Sequence, residues 1–356
     1  MKSVFLESHN IKNLNFGFGQ FNYHLIKALS KIELDNYYIT LHGKDTSWLK
    51  QEYGDAFKYK RSYSMRRYPA FRIRKKYDLW HSLNQNIKIE PFFSIPYLLT
   101  VHDIHFIFEG STLSQVKLKA KFNEKLKRAN AIVYISEFAK KDTNAHFEVP
   151  NVPEYVIHNG NTITDINLPN DYEPELVPPR PYLFSIGDFS ERKNFMTLVE
   201  MLQFLPDYNL VLAGRANSVY AEKLKTLIAT KNLQDRVKLI GKIEDLDKQY
   251  YFQNCEAFVF PSLREGFGIP PIEAMRFGKP IFISNNTSLP EIGGEHSFYW
   301  DHYDPKYMAD TLKLGMARFH NAQEFYKKWY IERAKSFSWE TTAKQYAAVY
   351  RTLLNL

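Results

Sequence analysis

The sequence predicts an α/β fold of two Rossmann-like halves, each a parallel sheet with helices on both faces. Three observations carry this. Short apolar runs alternate with amphipathic stretches along the whole chain. The alternation breaks once, at the proline-rich DYEPELVPPRPY (171–182), which reads as a linker, and then restarts. The charge also divides: residues 1–165 hold 24 Lys and Arg against 16 Asp and Glu, whereas 166–356 hold 23 of each, so the net +8 belongs to the first half. A chain of 356 residues exceeds one ordinary core, so two domains are expected, at 1–165 and 175–339.

In the first half SVFLES (3–8) reads as a strand leading through a glycine-containing loop to the helix QFNYHLIKALSKI (20–32). YYITLH, DLWHSL, PYLLTVHD and AIVYIS follow as strands, KLKAKFNEKLKRA (117–129) as a helix and VIHNGNT (156–162) as a last strand. The second half pairs YLFSIG with NFMTLVEMLQFL, YNLVLAG with VYAEKLKTLIATK, VKLIG with LDKQYYFQN, and AFVFPS with the helix that follows it; PIFISN closes the sheet. The tail SWETTAKQYAAVYRTLL is a capped amphipathic helix. Its Tyr346, Val349, Tyr350, Leu353 and Leu354 recur at helical spacing and need a partner surface, so 340–356 is expected to pack back on the first domain. Two such halves facing each other would place a ligand cleft at the carboxyl ends of their strands.

Composition removes several classes. Hydrophobic content of 44% with 16% aromatics is globular. A single cysteine, Cys255, excludes a disulfide framework and a cysteine metal site and fits a reducing compartment. No signal-peptide core or membrane-length apolar run is present, so a cytoplasmic protein is expected.

The stretch LREGFGIPPIEAMRFGKP (263–280) carries the chemistry. Strand AFVFPS ends near Ser262, Pro270 and Pro271 suit the first positions of a helix, and Gly278 ends it. Glu265 then sits at the strand's carboxyl end, where Gly266, Phe267 and Gly268 can present backbone N–H groups to an anion. Glu273 falls in the first helical turn, able to accept from vicinal hydroxyls. A ligand with hydroxyls at both ends and phosphates between them, a nucleotide sugar, satisfies every part. The plainer reading is a solvated Glu265 and a Glu273 that complements the helix dipole. Arg192 and Lys193 follow strand YLFSIG and could stabilise charge developing on a diphosphate, with no Asp-x-Asp triplet to hold a metal. His102 and Asp103 end another strand; NFGFGQFN (15–22), with Gly17 and Gly19, is a glycine-bearing first loop. Asn22 stands where a dinucleotide fingerprint has its third glycine, so approach to donor phosphates or to the acceptor fits better than NAD.

Glu265-x7-Glu273 resembles the signature of the retaining glycosyltransferases of family 4, which have the GT-B fold. SIGDFSERKN (185–194, with Gly187), TVHDIHF (100–106), VYISEFAKKD (133–142), VIHNGNT and the Trp339-containing C-terminal helix are similar to that family's segments, in the same order. The resemblance implies a nucleotide diphosphate sugar as donor, with no further cofactor and no metal. It implies Glu265 at the donor sugar with His102 beside it, Glu273 at the ribose, and Arg192 and Lys193 at the diphosphate. In that family the donor's own phosphate oxygen takes the acceptor proton, so no protein base is assigned. NTSLPEIGG (286–294) resembles mannosyltransferases that use GDP-mannose, whereas many UDP-sugar relatives carry Gly-Gly just before Pro-Glu. The expected acceptor is a glycan or a lipid-linked glycan. UDP- or dTDP-sugar donors and a sugar-nucleotide epimerase are the alternatives.

Two basic runs remain: Arg61, Arg66, Arg67, Arg72, Arg74, Lys75 and Lys76 with aromatic Tyr68, Phe71 and Tyr77, and Lys117, Lys119, Lys121, Lys125, Lys127 and Arg128. A solvated face is the ordinary explanation. Alongside a sugar-transfer site, docking on an anionic membrane is more coherent than binding nucleic acid.

Overall fold

The computed structural model describes residues 1–14 and 17–356. The chain divides into two compact units, Met1–Gly160 with Ser338–Leu356, and Asn161–Phe337. The boundaries thus fall at Gly160 and Phe337, not at 165 and 339 as the sequence suggested.

The first unit runs β1 (Lys2–Glu7), α1 (Gly17–Leu29), β2 (Tyr37–Gly43), α2 (Thr46–Tyr53), β3 (Lys58–Arg61), β4 (Leu79–Ser82), β5 (Tyr97–Val101), α3 (Thr112–Arg128), β6 (Ala131–Tyr134), α4 (Glu137–His146) and β7 (Glu154–Val156). Among the described residues its sheet has the order β3-β2-β1-β4-β5-β6-β7, every neighbouring pair parallel. Val4, Phe5 and Leu6 are wholly buried in succession, as a strand covered on both faces requires. The strand expected over 156–162 is the shorter β7. The chain then turns at Gly160, where an added Cβ would lie 2.3 Å from the Trp339 backbone nitrogen. Gly17 and Gly19 fall in the first turn of α1 and not in a loop, and Asn15 and Phe16 of that segment lie outside the described residues.

The second unit runs β8 (Tyr182–Ile186), α5 (Phe195–Met201), β9 (Asn209–Ala213), α6 (Val219–Thr230), β10 (Val237–Gly241), α7 (Asp245–Asn254), β11 (Ala257–Phe260), α8 (Ile269–Arg276), β12 (Ile281–Ser284), α9 (Leu289–Gly293), β13 (Phe298–Trp300), α10 (Pro305–Asn321) and α11 (Gln323–Ser336). Its parallel sheet has the order β10-β9-β8-β11-β12-β13 among the described residues, so β13 closes it and not PIFISN. The segment read as a linker belongs to this unit and lies along α7. Tyr172 donates to Asp247 Oδ1 at 2.6 Å, the Tyr251 hydroxyl donates to the Leu176 carbonyl at 2.7 Å, and the Asn167 N–H donates to Gln249 Oε1 at 2.9 Å. Proline content signalled extended chain there, and the side-chain bonds decide that the extended chain is tied down.

The chain ends in α12 (Trp339–Leu354), back in the first unit against α1 and β4. Tyr346, Val349, Tyr350 and Leu354 are buried and Leu353 partly so. Tyr350 and Tyr346 reach a buried polar chain: the Tyr350 hydroxyl meets His81 Nδ1 at 2.7 Å, His81 Nε2 meets Thr100 Oγ1 at 2.8 Å, and Thr100 meets the Tyr346 hydroxyl at 3.1 Å. Burial, with His102 nearby, holds His81 down to about 3, so this chain is uncharged at neutral pH.

Not every member of the basic runs faces solvent. Lys125 is only 2% exposed and Tyr77 only 4%, so neither can touch a membrane, whereas Tyr68 and Phe71 are each 51% exposed. Among the described residues no helix is long and apolar enough to cross a membrane.

Candidate functional site

In the second unit the strand order reverses between β8 and β11, which pair directly. Loops leaving the carboxyl ends of two such strands diverge and open a crevice between them. The loop after β8 carries Gly187, Arg192 and Lys193, and the loop after β11 carries Ser262 to Gly268.

The two loops meet on one atom. Lys193 Nζ lies 2.6 Å and Arg192 Nη1 3.1 Å from Glu265 Oε1, and the Ser262 hydroxyl donates to that oxygen at 2.6 Å. Lys193 also stands over the Phe260 ring, 4.5 Å from its centroid. Lys193 and Glu265 are nearly buried, at 7% and 9% exposure. Burial works against both charges and draws Lys193 below the usual lysine range. For Glu265 burial would raise the carboxyl, but the charges of Lys193 and Arg192 and the hydrogen bonds from Lys193 and Ser262 override it and hold it at about 2. Its unfolded value is near 4.5, so the carboxylate's own contribution to stability is present above that pH and fades as pH falls towards 2.

Local backbone chemistry fixes this geometry. Residues Glu191–Lys193 form a single 3-10 turn, and Asn194 at φ 55° leaves it through the left-handed region, which asparagine tolerates. Gly187 makes room for the lysine stem: a Cβ there would lie 3.0 Å from Lys193 Cε and 3.2 Å from Cδ. Gly268 caps α8 at φ 119°. Across the loop, Thr287 holds φ 55°, unusual for a β-branched residue, and its hydroxyl accepts the Glu265 N–H at 3.2 Å. The Ser288 hydroxyl binds the Glu265 and Phe267 carbonyls at 3.0 and 2.6 Å.

Glu273 is held separately. Helix α8 starts at Ile269, so Glu273 lies just past the first turn and not within it as the proline pair suggested. It is buried, and Lys248 of α7 meets its Oε1 at 2.8 Å while the Thr162 hydroxyl donates to the same oxygen. Because both bonds fall on Oε1, Oε2 can accept from a ligand.

In the first unit His102 follows β5. The Leu83 carbonyl accepts from His102 Nε2 at 2.9 Å, Gln85 Oε1 accepts the His102 backbone N–H at 3.1 Å, and the rings of Phe18 and Phe21 meet the imidazole edge-on. Since a carbonyl only accepts, Nε2 carries the proton and Nδ1 is an acceptor. Burial holds this imidazole down to about 4, against the Leu83 bond and the Asp103 charge, so it is neutral at pH 7. The profile of kcat/KM against pH is therefore expected to show no His102 inflection near 6.5. An inflection there that vanishes in His102→Gln would overturn this assignment. Gly19 is needed for close approach: a Cβ would lie 1.9 Å from the Asn13 carbonyl oxygen, whereas one at Gly17 would meet nothing within 4 Å.

A family model described as glycosyl transferases group 1 matches residues 171–335, which include Arg192, Lys193, Glu265 and Glu273. The chain carries a group 1 glycosyltransferase domain. O-antigen chain mannosyltransferase B of Escherichia coli is 28% identical over 288 residues, covering 74% of this chain and 73% of that protein. Among solved structures, sucrose-phosphate synthase of Thermosynechococcus elongatus superposes with a TM-score of 0.75 at 19% identity, over 100% of both chains. Anabaena HepE in complex with UDP-glucose gives 0.68 at 15% identity, over 99% of this chain and 100% of that one. The fold is GT-B, and the enzyme is a hexosyltransferase.

The sequence of this glycosyltransferase points to Glu265, Arg192 and Lys193, which the structure places together, and to His102, Gly17 and Gly19, which belong to the other unit. It does not single out Ser262, Thr287, Ser288 or Lys248. Hydroxyls are ordinary loop residues and Lys248 an ordinary helix lysine. Only the placement of Thr287 and Ser288 after a buried strand signals a supporting loop.

Proposed function

We propose that the enzyme transfers mannose from GDP-mannose to a glycan or lipid-linked glycan acceptor, with retention, giving an α-linkage without a metal ion. The observation that carries this reading is the buried, ionised Glu265 with Lys193 and Arg192 at the carboxyl ends of β8 and β11. In the step envisaged, the bond from the sugar's anomeric carbon to the diphosphate oxygen breaks and its electrons pass to the diphosphate. The acceptor hydroxyl forms the new bond on the same face and gives its proton to a diphosphate oxygen. Lys193 and Arg192 are fixed cations for the charge that grows on the leaving group. Glu265 supports the oxocarbenium-like sugar, and Glu273 Oε2 receives the ribose hydroxyls. Gly266 to Gly268 offer backbone N–H groups to the donor. The mannose assignment rests on similarity to O-antigen chain mannosyltransferase B and on Thr287-Ser288-Leu289 before Pro290-Glu291. Such an enzyme would work in the cytoplasm, peripheral to the membrane that carries its acceptor.

The test is a panel of GDP-, UDP- and dTDP-sugars with glycan acceptors. GDP release from GDP-mannose, an α-anomeric product by NMR and activity unchanged by EDTA are the expected results. Release from a UDP- or dTDP-sugar alone would replace the donor, a β-linked product would overturn retention, and loss in EDTA restored by Mg²⁺ or Mn²⁺ would overturn metal independence. Among the described residues no group of three His, Cys, Asp or Glu side chains is arranged to hold a metal. In this mechanism Lys193 and Arg192 take the cation role.

A further inference from the structure

A cavity of about 580 Å³ in the first unit lies between the short helical turns at 64–71, the chain leading into β5, and α3. Six cations line it, Arg67, Arg72, Lys88, Lys121, Lys125 and Arg128, against the carboxylates Glu90 and Glu124. The buried Glu90 is already engaged, by Lys125 at 2.5 Å and Arg128 at 3.3 Å. Lys125 is further held by Ser82 and the Tyr97 hydroxyl, each at 3.1 Å. Among the described residues no carboxylate closes an ion pair with Arg67, Arg72, Lys88 or Lys121, and Arg72 Nε is buried without a hydrogen-bond partner. The wall therefore concentrates positive charge that the protein itself does not neutralise, with a guanidinium N–H left unsatisfied.

We infer that this cavity is a binding site for a phosphate or diphosphate group, separate from the donor site. Like charges crowded at a half-buried wall repel one another, and an anion with several acceptor oxygens relieves both the repulsion and the unmet donors. A guanidinium fork beside flexible lysines suits phosphate, and a cavity of this size admits a diphosphate with part of what it is attached to. Tyr68 on the rim is half exposed and offers an apolar surface to that attached portion. The group could belong to a soluble phosphate ester or to a lipid headgroup.

Lys121 reports on the site. Burial, then Lys125 and Lys88, lower its ammonium to about 8, so it reacts with amine reagents in mildly alkaline solution. The full chain would be acetylated with limiting reagent at pH 8 and modification followed lysine by lysine by mass spectrometry. Saturating inorganic pyrophosphate is expected to slow Lys121 about tenfold, since only the open fraction of pockets reacts. The double variant Arg67→Gln, Arg72→Gln, checked for wild-type circular dichroism, keeps the reporter and the lysines around it and should lose that protection. Vesicles of phosphatidylcholine with phosphatidic acid, against phosphatidylcholine alone, separate the sources. Protection by the anionic vesicles assigns a lipid headgroup, and protection by pyrophosphate only assigns a soluble phosphate ester. No protection by either, or equal protection by chloride at matched ionic strength, would overturn the inference. The readout involves neither donor nor transfer, so it stands or fails apart from the proposed reaction.

Discussion

Glu265→Gln is expected to lower kcat by roughly 10²–10³-fold, the scale on which loss of one preorganised electrostatic contact acts in a dry site. The amide keeps the shape but removes the charge that Lys193 and Arg192 face at 2.6 and 3.1 Å. Glu265→Ala goes further, because removing one partner of a buried ion pair costs about 3–5 kcal/mol and leaves Lys193 without its counter-ion. A Glu265 that touched only the donor sugar would spare nucleotide affinity when lost. The shared oxygen changes that expectation: Lys193 would give up its proton more readily, and GDP affinity should fall with kcat. Steady-state kinetics, nucleotide titration and thermal melts on both variants check this. Wild-type turnover in Glu265→Gln would remove the catalytic assignment. A Lys193→Met, Glu265→Gln double variant no worse than either single one would confirm that the two act as a unit.

Gly214→Ala should be among the most damaging single-methyl changes in the second unit. Gly214 follows β9 at φ 143°, and a Cβ there would lie 1.8 Å from the Gly187 carbonyl oxygen, a clash with backbone that no rotamer relieves. Its N–H is also committed to the Gly241 carbonyl at 2.7 Å, so the turn cannot swing away without losing a bond. About 3 kcal/mol of destabilisation is expected, which in a unit of this size lowers the melting temperature by roughly 6–12 °C. The displaced residue is Gly187, whose missing side chain makes room for Lys193. Activity should therefore fall even well below the melting temperature. A variant that melts like wild type would show that the β8 and β9 turns are not interlocked, and Gly17→Ala, with nothing within 4 Å, serves as the control.

The sequence by itself determined the two parallel sheets, because strands buried on both faces must be continuously apolar and Val4-Phe5-Leu6 or Phe258-Val259-Phe260 can be little else. It also determined that α12 needed a partner, since Tyr346 and Tyr350 repeat at helical spacing. It marked Glu265 through the glycines and prolines around it, because local conformation is written in local sequence. The tertiary structure alone decided what each charge faces. Lys125 reads as one more lysine on a basic helix, yet it is buried against Glu90, while Lys121 four residues earlier lines an unneutralised cavity. Glu273 reads as a ribose ligand at a helix start, yet Lys248 and Thr162 already hold one of its oxygens. The proline-rich segment reads as a linker, yet Tyr172 and Tyr251 bind it to α7. Hydrophobic periodicity and turn chemistry are properties of neighbours along the chain. The partner of a charge, and hence its ionisation and its work, depends on residues tens of positions away that only folding brings within 3 Å.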